Sequence, residues 1–339
     1  MKNAIRAALL ILGLGLFGWF VQRAGVGEIW RTCVSLGWYA PLALISYGVV
    51  QAVDTLGWRF AFNRDAARRI RFWTLYRVRW CGEAVNNVVP SGYVGGEAVK
   101  VYLLGKRGVN TGDVTVSVIV GRTVQTLTQV IFIALGSAAF LSIVRPESRV
   151  RYGMLVVLAG SLMALGALFW LQSQGMFSIL FATLEKLKIR IKSLDLHRAE
   201  LLRVDRGVVG FYRHNRWRFF SSACCYLGGW MLDTLDIFLV SRLVGMPISW
   251  PQALAIEVFV GVAKVLGLFV PGALGVQESG IALVCQLAGL PESLGLSYAL
   301  IRRGRELIYA SLGWLLLYAE EASFGELSGK IAGQTSEQS

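Results

Sequence analysis

The chain has 339 residues, of which 55% are hydrophobic and only 16% are charged, whereas about 25% are charged in ordinary globular proteins. This composition, with a mean hydropathy of +0.55, argues against a soluble protein. The formal net charge of +13 could indicate nucleic-acid binding, but the basic residues flank apolar runs. That placement favours an anionic membrane surface as the partner, and no nucleic acid.

Several apolar runs approach the roughly 20 residues that a membrane-spanning helix needs. We therefore expect an all-α, polytopic integral membrane protein. The five cysteines are scattered without the spacing of a zinc site or a disulfide framework, and the two histidines, His197 and His214, lie in one basic segment. We predict no metal, no cofactor and no catalytic residue.

The N-terminal region, residues 1–38, is expected to hold an uncleaved first helix at 7–21. A first repeat then covers residues 39–171. Its interior segment at 73–104 is apolar but interrupted by a proline and several glycines, which favours a re-entrant helical hairpin. Non-helical backbone is tolerated at membrane depth only where protein or a wet cavity satisfies its polar groups. The predicted spans on either side of this hairpin are 39–62, 114–144 and 154–171.

Residues 172–218 are predicted to be a cytoplasmic linker. Apolar residues recur there at helical spacing from Phe177 to Leu194 beside four basic side chains, which favours an amphipathic helix on anionic lipid. A second repeat is expected at 219–320, followed by a polar tail at 321–339. This repeat contains a span at 219–240, a broken apolar segment at 253–290 and a last span at 294–318.

The densest positive charge lies around residues 64–79 and 186–218. The positive-inside rule therefore places both segments, and the N-terminus, in the cytoplasm. Arg145, Arg149 and Arg151 are an exception, because this topology puts them outside.

The two halves repeat the same features in the same order. Asp54-Thr55-Leu56 recurs as Asp233-Thr234-Leu235. Three further pairs of positions share one constant, slightly longer separation along the chain, which we call the repeat offset: Pro90 and Pro271, Glu97 and Glu278, and Arg122 and Arg303. With the predicted topology, the two repeats are inverted relative to one another.

Inverted repeats with broken helices near the midplane are typical of a transporter site, where helix N-termini favour an anionic group. We predict that Arg122 and Arg303 bind a lipid phosphate bidentately, and that Glu97 and Glu278 hold them or relay protons. Two alternatives stay open: a purely structural Arg–Glu clasp, and a glutamate that only stabilises the first turn of its helix.

Two further pairs follow from the repeat. Glu83 and Lys264 occupy equivalent positions with opposite charges, so we predict that they pair across the repeat interface. Asp54 and Asp233 are expected to make hydrogen bonds between helices, because polar groups buried in the membrane usually face another helix.

Three motifs carry a resemblance to a known family. They are Gly82-Glu83-Ala84-Val85-Asn86-Asn87, then Gly95-Gly96-Glu97-Ala98-Val99-Lys100 after Pro90, and Val270-Pro271-Gly272 with Gly275 and Glu278. Over nearly its whole length the chain resembles the bacterial lysyl-phosphatidylglycerol synthase transmembrane, or flippase-like, family. The run Gly-Glu-Ala-Val-Asn is most similar to the branch associated with hopanoid biosynthesis.

The resemblance implies a multi-pass inner-membrane domain that moves a polar-headed lipid between leaflets. It adds Lys100, Gly95, Gly96 and Gly275 to the expected substrate site, and Pro90 and Pro271 as structural breaks. Because the chain ends shortly after its last predicted span, the soluble aminoacyl transferase domain of some members is expected to be absent. A transporter is therefore favoured over the alternatives, an integral membrane enzyme acting on such a lipid or an accessory partner of one. No oligomeric state is predicted.

Overall fold

The computed structural model describes residues 40–88, 94–143, 152, 159–160, 162–163, 166–167, 169–172, 174–186, 198–243, 245–266 and 276–320. Every regular element within these ranges is an α-helix, which confirms the all-α prediction. Several predicted features lie outside the described residues: the helix at 7–21, half of the span at 154–171, Pro90, Pro271, Gly275 and the side chain of Lys264.

The first half contains two apolar helices and a helical hairpin between them. Its first and last helices agree closely with the predicted spans. The last helix has 33 residues and is about 50 Å long, more than the roughly 30 Å hydrocarbon core of a bilayer. The helices are α1 (Ala40–Ala61), α2 (Arg64–Arg69), α3 (Phe72–Val88), α4 (Val94–Lys106) and α5 (Thr111–Ile143).

The second half follows two helices that belong to the predicted linker. Apart from α2, which has no counterpart among the described residues, its order of long and short helices is the same as in the first half. The linker helices are α6 (Met176–Lys186) and α7 (Arg198–His214). The helices of the second half are α8 (Arg216–Leu243), α9 (Trp250–Leu266), α10 (Val276–Leu287) and α11 (Glu292–Ala319).

The same turn ends α4 and α10. Gly108 and Gly289 adopt positive φ values of 79° and 67°, in the left-handed region where a side chain is strained. The residue after each glycine donates its N–H to the carbonyl five residues earlier, at 3.1 Å in the first turn and 2.8 Å in the second. This is the Schellman pattern, and it lets α5 and α11 begin at once in a new direction.

The centre of the molecule is the packing of α1 on α8. Going along α1 towards its C-terminus, the contacts move towards the N-terminus of α8, so the two helices run antiparallel. The paired positions are Ser46 with Asp236, Gly57 with Ser222, and Phe62 with Arg218.

Each half also packs its long helix against the other half. α5 lies on α9 and α11 lies on α3, and each contact is made possible by a glycine. A Cβ on Gly136 of α5 would collide with Val258 of α9, and a Cβ on Gly313 of α11 would come within 2.6 Å of the Ala84 side chain of α3. The two halves therefore interlock instead of standing side by side.

The linker helix α7 packs against a core formed mainly by the first half. Val208 and Phe211 are buried in the same core as α5. Burial also raises the pKa of Tyr212 to about 12, so its hydroxyl stays protonated and donates to Gln172 at 3.0 Å. Asp205 accepts hydrogen bonds from the first turn of α6, including the Ser178 N–H at 2.7 Å. The predicted surface helix from Phe177 to Leu194 is described as far as Lys186, in α6.

Candidate functional site: two clusters of buried charge

Charged side chains of the first half converge between α1, α3, α4 and α5. We call this set the first cluster. Its three carboxylates and three cations balance one another, which lowers the cost of holding charge away from water. The members are Asp54, Arg79, Glu83, Glu97, Lys100 and Arg122.

The Arg79 guanidinium connects α3 to α1. It lies 2.6 Å from a carboxylate oxygen of Asp54, and its Nε donates to the Gln51 side chain at 3.1 Å. The sequence assigned Arg79 to the edge of a cytoplasmic basic loop. The structure differs, because Arg79 lies well inside α3 and its side chain is buried.

Lys100 joins the two helices of the hairpin. Its ammonium is buried and donates to Glu83 of α3 and to Glu97 of its own helix, at 3.0 Å in both cases. Arg122 of α5 approaches Glu97 at 3.4 Å. Glu97 is therefore shared by an ammonium and a guanidinium, and it links the hairpin to the long helix.

Gly96 lets the hairpin close tightly. A Cβ at this position would collide with the Gly82 carbonyl and with the Asn86 side chain, and the Gly96 N–H donates to that side chain at 2.8 Å. The first role of Gly96 is therefore close packing of α3 on α4. Gly95 lies beside it in the first turn of α4.

A second set of charged side chains lies between α8, α9, α10 and α11. We call it the second cluster. It is built around the arginines of α11, and each of these arginines contacts at least one carboxylate. The members are Asp233, Asp236, Glu257, Glu278, Arg302, Arg303, Arg305 and Glu306.

Arg305 binds both aspartates of α8. It forms ion pairs with Asp236 and, at 3.2 Å, with Asp233. Its guanidinium also lies over the Tyr47 ring of α1, 4.8 Å from the ring centroid. The Ser46 hydroxyl donates to Asp236 at 2.7 Å, so this part of the second cluster also ties the two halves together.

The other two arginines bind α9 and α10. Arg302 contacts Glu257 at 2.8 Å, and the Tyr298 hydroxyl donates to the same carboxylate at 2.8 Å. Arg303 donates from its Nε to Glu278 and from its Nη1 to Glu306 at 2.9 Å.

Four of the predicted site residues form two Glu–Arg pairs, Glu97 with Arg122 and Glu278 with Arg303. Both glutamates also lie in the first turn of their helices. This geometry is compatible with both structural alternatives, and substrate binding stays a prediction. Glu83 binds Lys100. Its predicted partner Lys264 has no described side chain, so that pair stays a prediction.

Several members of the clusters were not predicted as site residues. Each of them is a charged side chain within or beside an apolar run. The sequence does not indicate which partner each of them binds. These residues are Asp54, Arg79, Asp233, Asp236, Glu257, Arg302, Arg305 and Glu306. In the part of the chain that the structure describes, no three His, Cys, Asp or Glu side chains come together as metal ligands.

The distribution of side chains defines the class of protein. Large apolar residues point outward, such as Ile45 at 61% exposure and Leu315 at 64%, while the charged clusters are inside, the reverse of the usual pattern in water. α5 and α8 are long and apolar enough to cross a bilayer. The chain is an α-helical membrane protein.

A comparison with models of known protein families identifies the family of the chain. The model of the lysylphosphatidylglycerol synthase TM region matches residues 5–313, so the chain belongs to this family. Membership confirms the resemblance drawn from the motifs and connects the chain with membrane lipids. A search of curated proteins and a search of solved structures found no match.

Proposed function

We propose that the chain is a lipid flippase or lipid transporter, not an enzyme. It moves a polar-headed lipid, either phosphate-bearing or a hopanoid, between the leaflets of the bacterial inner membrane. The observation that carries this proposal is the recurrence of one Glu–Arg pair, at least partly buried, at equivalent positions of two halves. We infer a wet, headgroup-sized space between the halves, because charged side chains at membrane depth usually face a cavity or a partner.

Several local features support two repeats related by the repeat offset. Gly108 and Gly289 stand at this offset in the same turn. The helices that follow, α5 and α11, begin at the same offset. The hydrogen bond from Arg122 to Gln125, at 2.8 Å, also recurs as that from Arg303 to Glu306.

The packing of α1 on α8 supports the inversion of these repeats. The two helices carry the equivalent residues Asp54 and Asp233, so they correspond to one another. Because they contact each other in antiparallel orientation, the axis that relates them lies across the helices and turns one repeat upside down. The exchange of contacts, α5 on α9 and α11 on α3, fits the same axis.

The proposed mechanism begins at Arg122. Its side chain is 29% exposed while its Nη2 is buried, so the side chain must turn to present two parallel N–H donors to a phosphate. Lys100 and Glu83 fix the position of Glu97, which in turn orients Arg122. The headgroup slides between the halves while its tails stay in lipid, and rocking of one repeat against the other alternates the access.

The basic surface supports a cytoplasmic location for one end of the molecule. Arg64, Arg68 and Arg69 of α2 are exposed beside the start of α8, where Asn215 contacts Asn63 at 3.5 Å. We place this end, and the N-terminus, at the anionic cytoplasmic leaflet.

Reconstitution tests the function. Purified protein in liposomes is expected to accelerate the transbilayer movement of at least one lipid from a panel of phospholipids, polyprenyl phosphates and hopanoids. Arg122→Ala and Arg303→Ala should each slow this movement by about tenfold or more, the value of a lost charge-assisted hydrogen bond.

Arg198→Ala is the matched control, because Arg198 is 45% exposed on α7 and pairs with another exposed side chain, Glu185. It should move lipid at the wild-type rate. No acceleration across the whole panel would reject the transport function, and full activity in both site variants would remove the two arginines from the mechanism.

A further inference from the structure

The two equivalent Glu–Arg pairs are in different states. In the first half, Arg122 is 29% exposed and approaches Glu97 at 3.4 Å. In the second half, the Arg303 side chain is only 3% exposed and donates a hydrogen bond to Glu278. The Arg122 side chain is therefore partly exposed, while the equivalent Arg303 is buried.

One chemical difference between the two halves lies three residues after each arginine. Each arginine donates from its Nη1 to a side-chain oxygen three residues later, a distance of 2.8 Å to Gln125 and 2.9 Å to Glu306. Gln125 and Glu306 are related by the same repeat offset and have nearly the same shape. Only Glu306 is charged, and a hydrogen bond between two ions is about twice as strong as one with a neutral acceptor.

The surroundings strengthen the hold of Glu306. Arg302, the neighbour of Arg303 in the sequence, lies 3.5 Å from the same carboxylate and is itself fixed by Glu257. Glu306 thus contacts two guanidiniums of its own helix. The position equivalent to Arg302 in the first half is Gly121, so the equivalent position offers Gln125 no second cation.

We propose that Gln125 and Glu306 are positioning residues that decide which arginine is presented. The neutral amide leaves Arg122 open to an anionic headgroup, and the carboxylate retracts Arg303. Exchange of the two side chains should exchange the two states. The headgroup in this statement rests on the proposed function, whereas the difference in arginine exposure does not.

The test measures arginine exposure directly. Purified protein in lipid nanodiscs is treated with phenylglyoxal, which modifies accessible guanidiniums, and modification at each arginine is counted by mass spectrometry. In the wild type, Arg122 should react much faster than Arg303. Glu306→Gln should raise the rate at Arg303 and Gln125→Glu should lower the rate at Arg122, each by about fivefold, the difference between a charged and a neutral acceptor. The double exchange should reverse the ratio.

Thr115→Glu is the matched control. It adds the same charge to the same helix, about 10 Å from Arg122, at a position whose hydroxyl donates to the Thr111 carbonyl, and it should leave both rates unchanged. If Glu306→Gln unfolds the protein, the buried Arg305 will react as well, and Gln125→Glu, which removes no hydrogen-bond acceptor, still decides the question. Equal rates at Arg122 and Arg303 in the wild type, or an unchanged ratio in the exchanged protein, would overturn the proposal. These modification rates do not depend on transport. If they are as expected but the reconstituted wild-type protein moves no lipid, the proposed function is rejected and the inference on Gln125 and Glu306 stands.

Discussion

In the ion pair of Arg79 and Asp54, each buried charge needs the other to compensate for the loss of water. Each side chain is buried, so without Arg79 the Asp54 carboxylate would lose the cation that compensates its charge away from water. An exposed pair such as Arg198 and Glu185, 2.7 Å apart, is in the opposite situation, because water solvates whichever charge remains.

Arg79→Ala should therefore lower the free energy of unfolding by about 3–5 kcal/mol, the usual penalty for an orphaned buried charge. The change can be measured by denaturant titration of the purified protein in micelles. Arg198→Ala, the control, should cost less than about 1 kcal/mol. Replacing Asp54 and Arg79 together by apolar residues should recover most of the loss, and a double variant as unstable as Arg79→Ala would refute this explanation.

At this scale the sequence predicted charges but few partners. Arg122, Glu97, Arg303 and Glu278 were predicted as site residues because a repeat singled them out. Arg79 was not, because it is close in sequence to a run of surface arginines and its partner is 25 residues away. The two are brought together by residues 62–71, which include α2, and by the register of α3 on α1. A single sequence shows no pattern that predicts either.

At the scale of elements, the hairpin of α3 and α4 depends on how closely two backbones approach. Gly82 faces Gly96, and the space between them has no room for a Cβ. The sequence indicated a break and a hairpin in this region from its proline and glycines. It did not indicate which glycines serve the turn and which serve the packing.

Gly96→Ala should destabilise the protein by about 1–3 kcal/mol, because the hairpin must open to admit a methyl group. Gly210→Ala in α7 is the matched control: its Cβ meets no atom within 4 Å, so it should stabilise its helix by roughly 0.5–1 kcal/mol. Thermal unfolding of both variants measures the difference. A neutral Gly96→Ala would mean that α3 and α4 are not in close contact in the membrane.

The predicted helices at this scale agree closely with the structure where apolar runs are long, as in α1, α5, α8 and α11. In the linker, the sequence predicted a helix on the lipid surface only from Phe177 to Leu194. Beyond it, α7 buries Val208 and Phe211 against the long helix α5. An amphipathic helix has the same pattern whether its apolar face meets lipid or protein, so periodicity alone does not distinguish the two.

At the scale of the whole molecule, the transport proposal requires that equivalent points of the two halves face opposite sides of the membrane. The turns after α4 and α10 offer the best test, since they have the same hydrogen bonds. Asn110 and Pro291 are related by the repeat offset, stand at the ends of these turns, and are both exposed.

Single cysteines at Asn110 and Pro291, in a chain whose five native cysteines are replaced, should therefore react from opposite sides. With a membrane-impermeant maleimide on intact spheroplasts, Pro291→Cys should be labelled at once and Asn110→Cys only after permeabilisation. Loss of the Asn110 side chain, which accepts the N–H of Gly112 at 2.9 Å, costs only about 1 kcal/mol and leaves the fold intact. If both cysteines react before permeabilisation, or both only after it, the halves are not inverted. The two Glu–Arg pairs would then hold helices together without forming the two ends of a path for lipid.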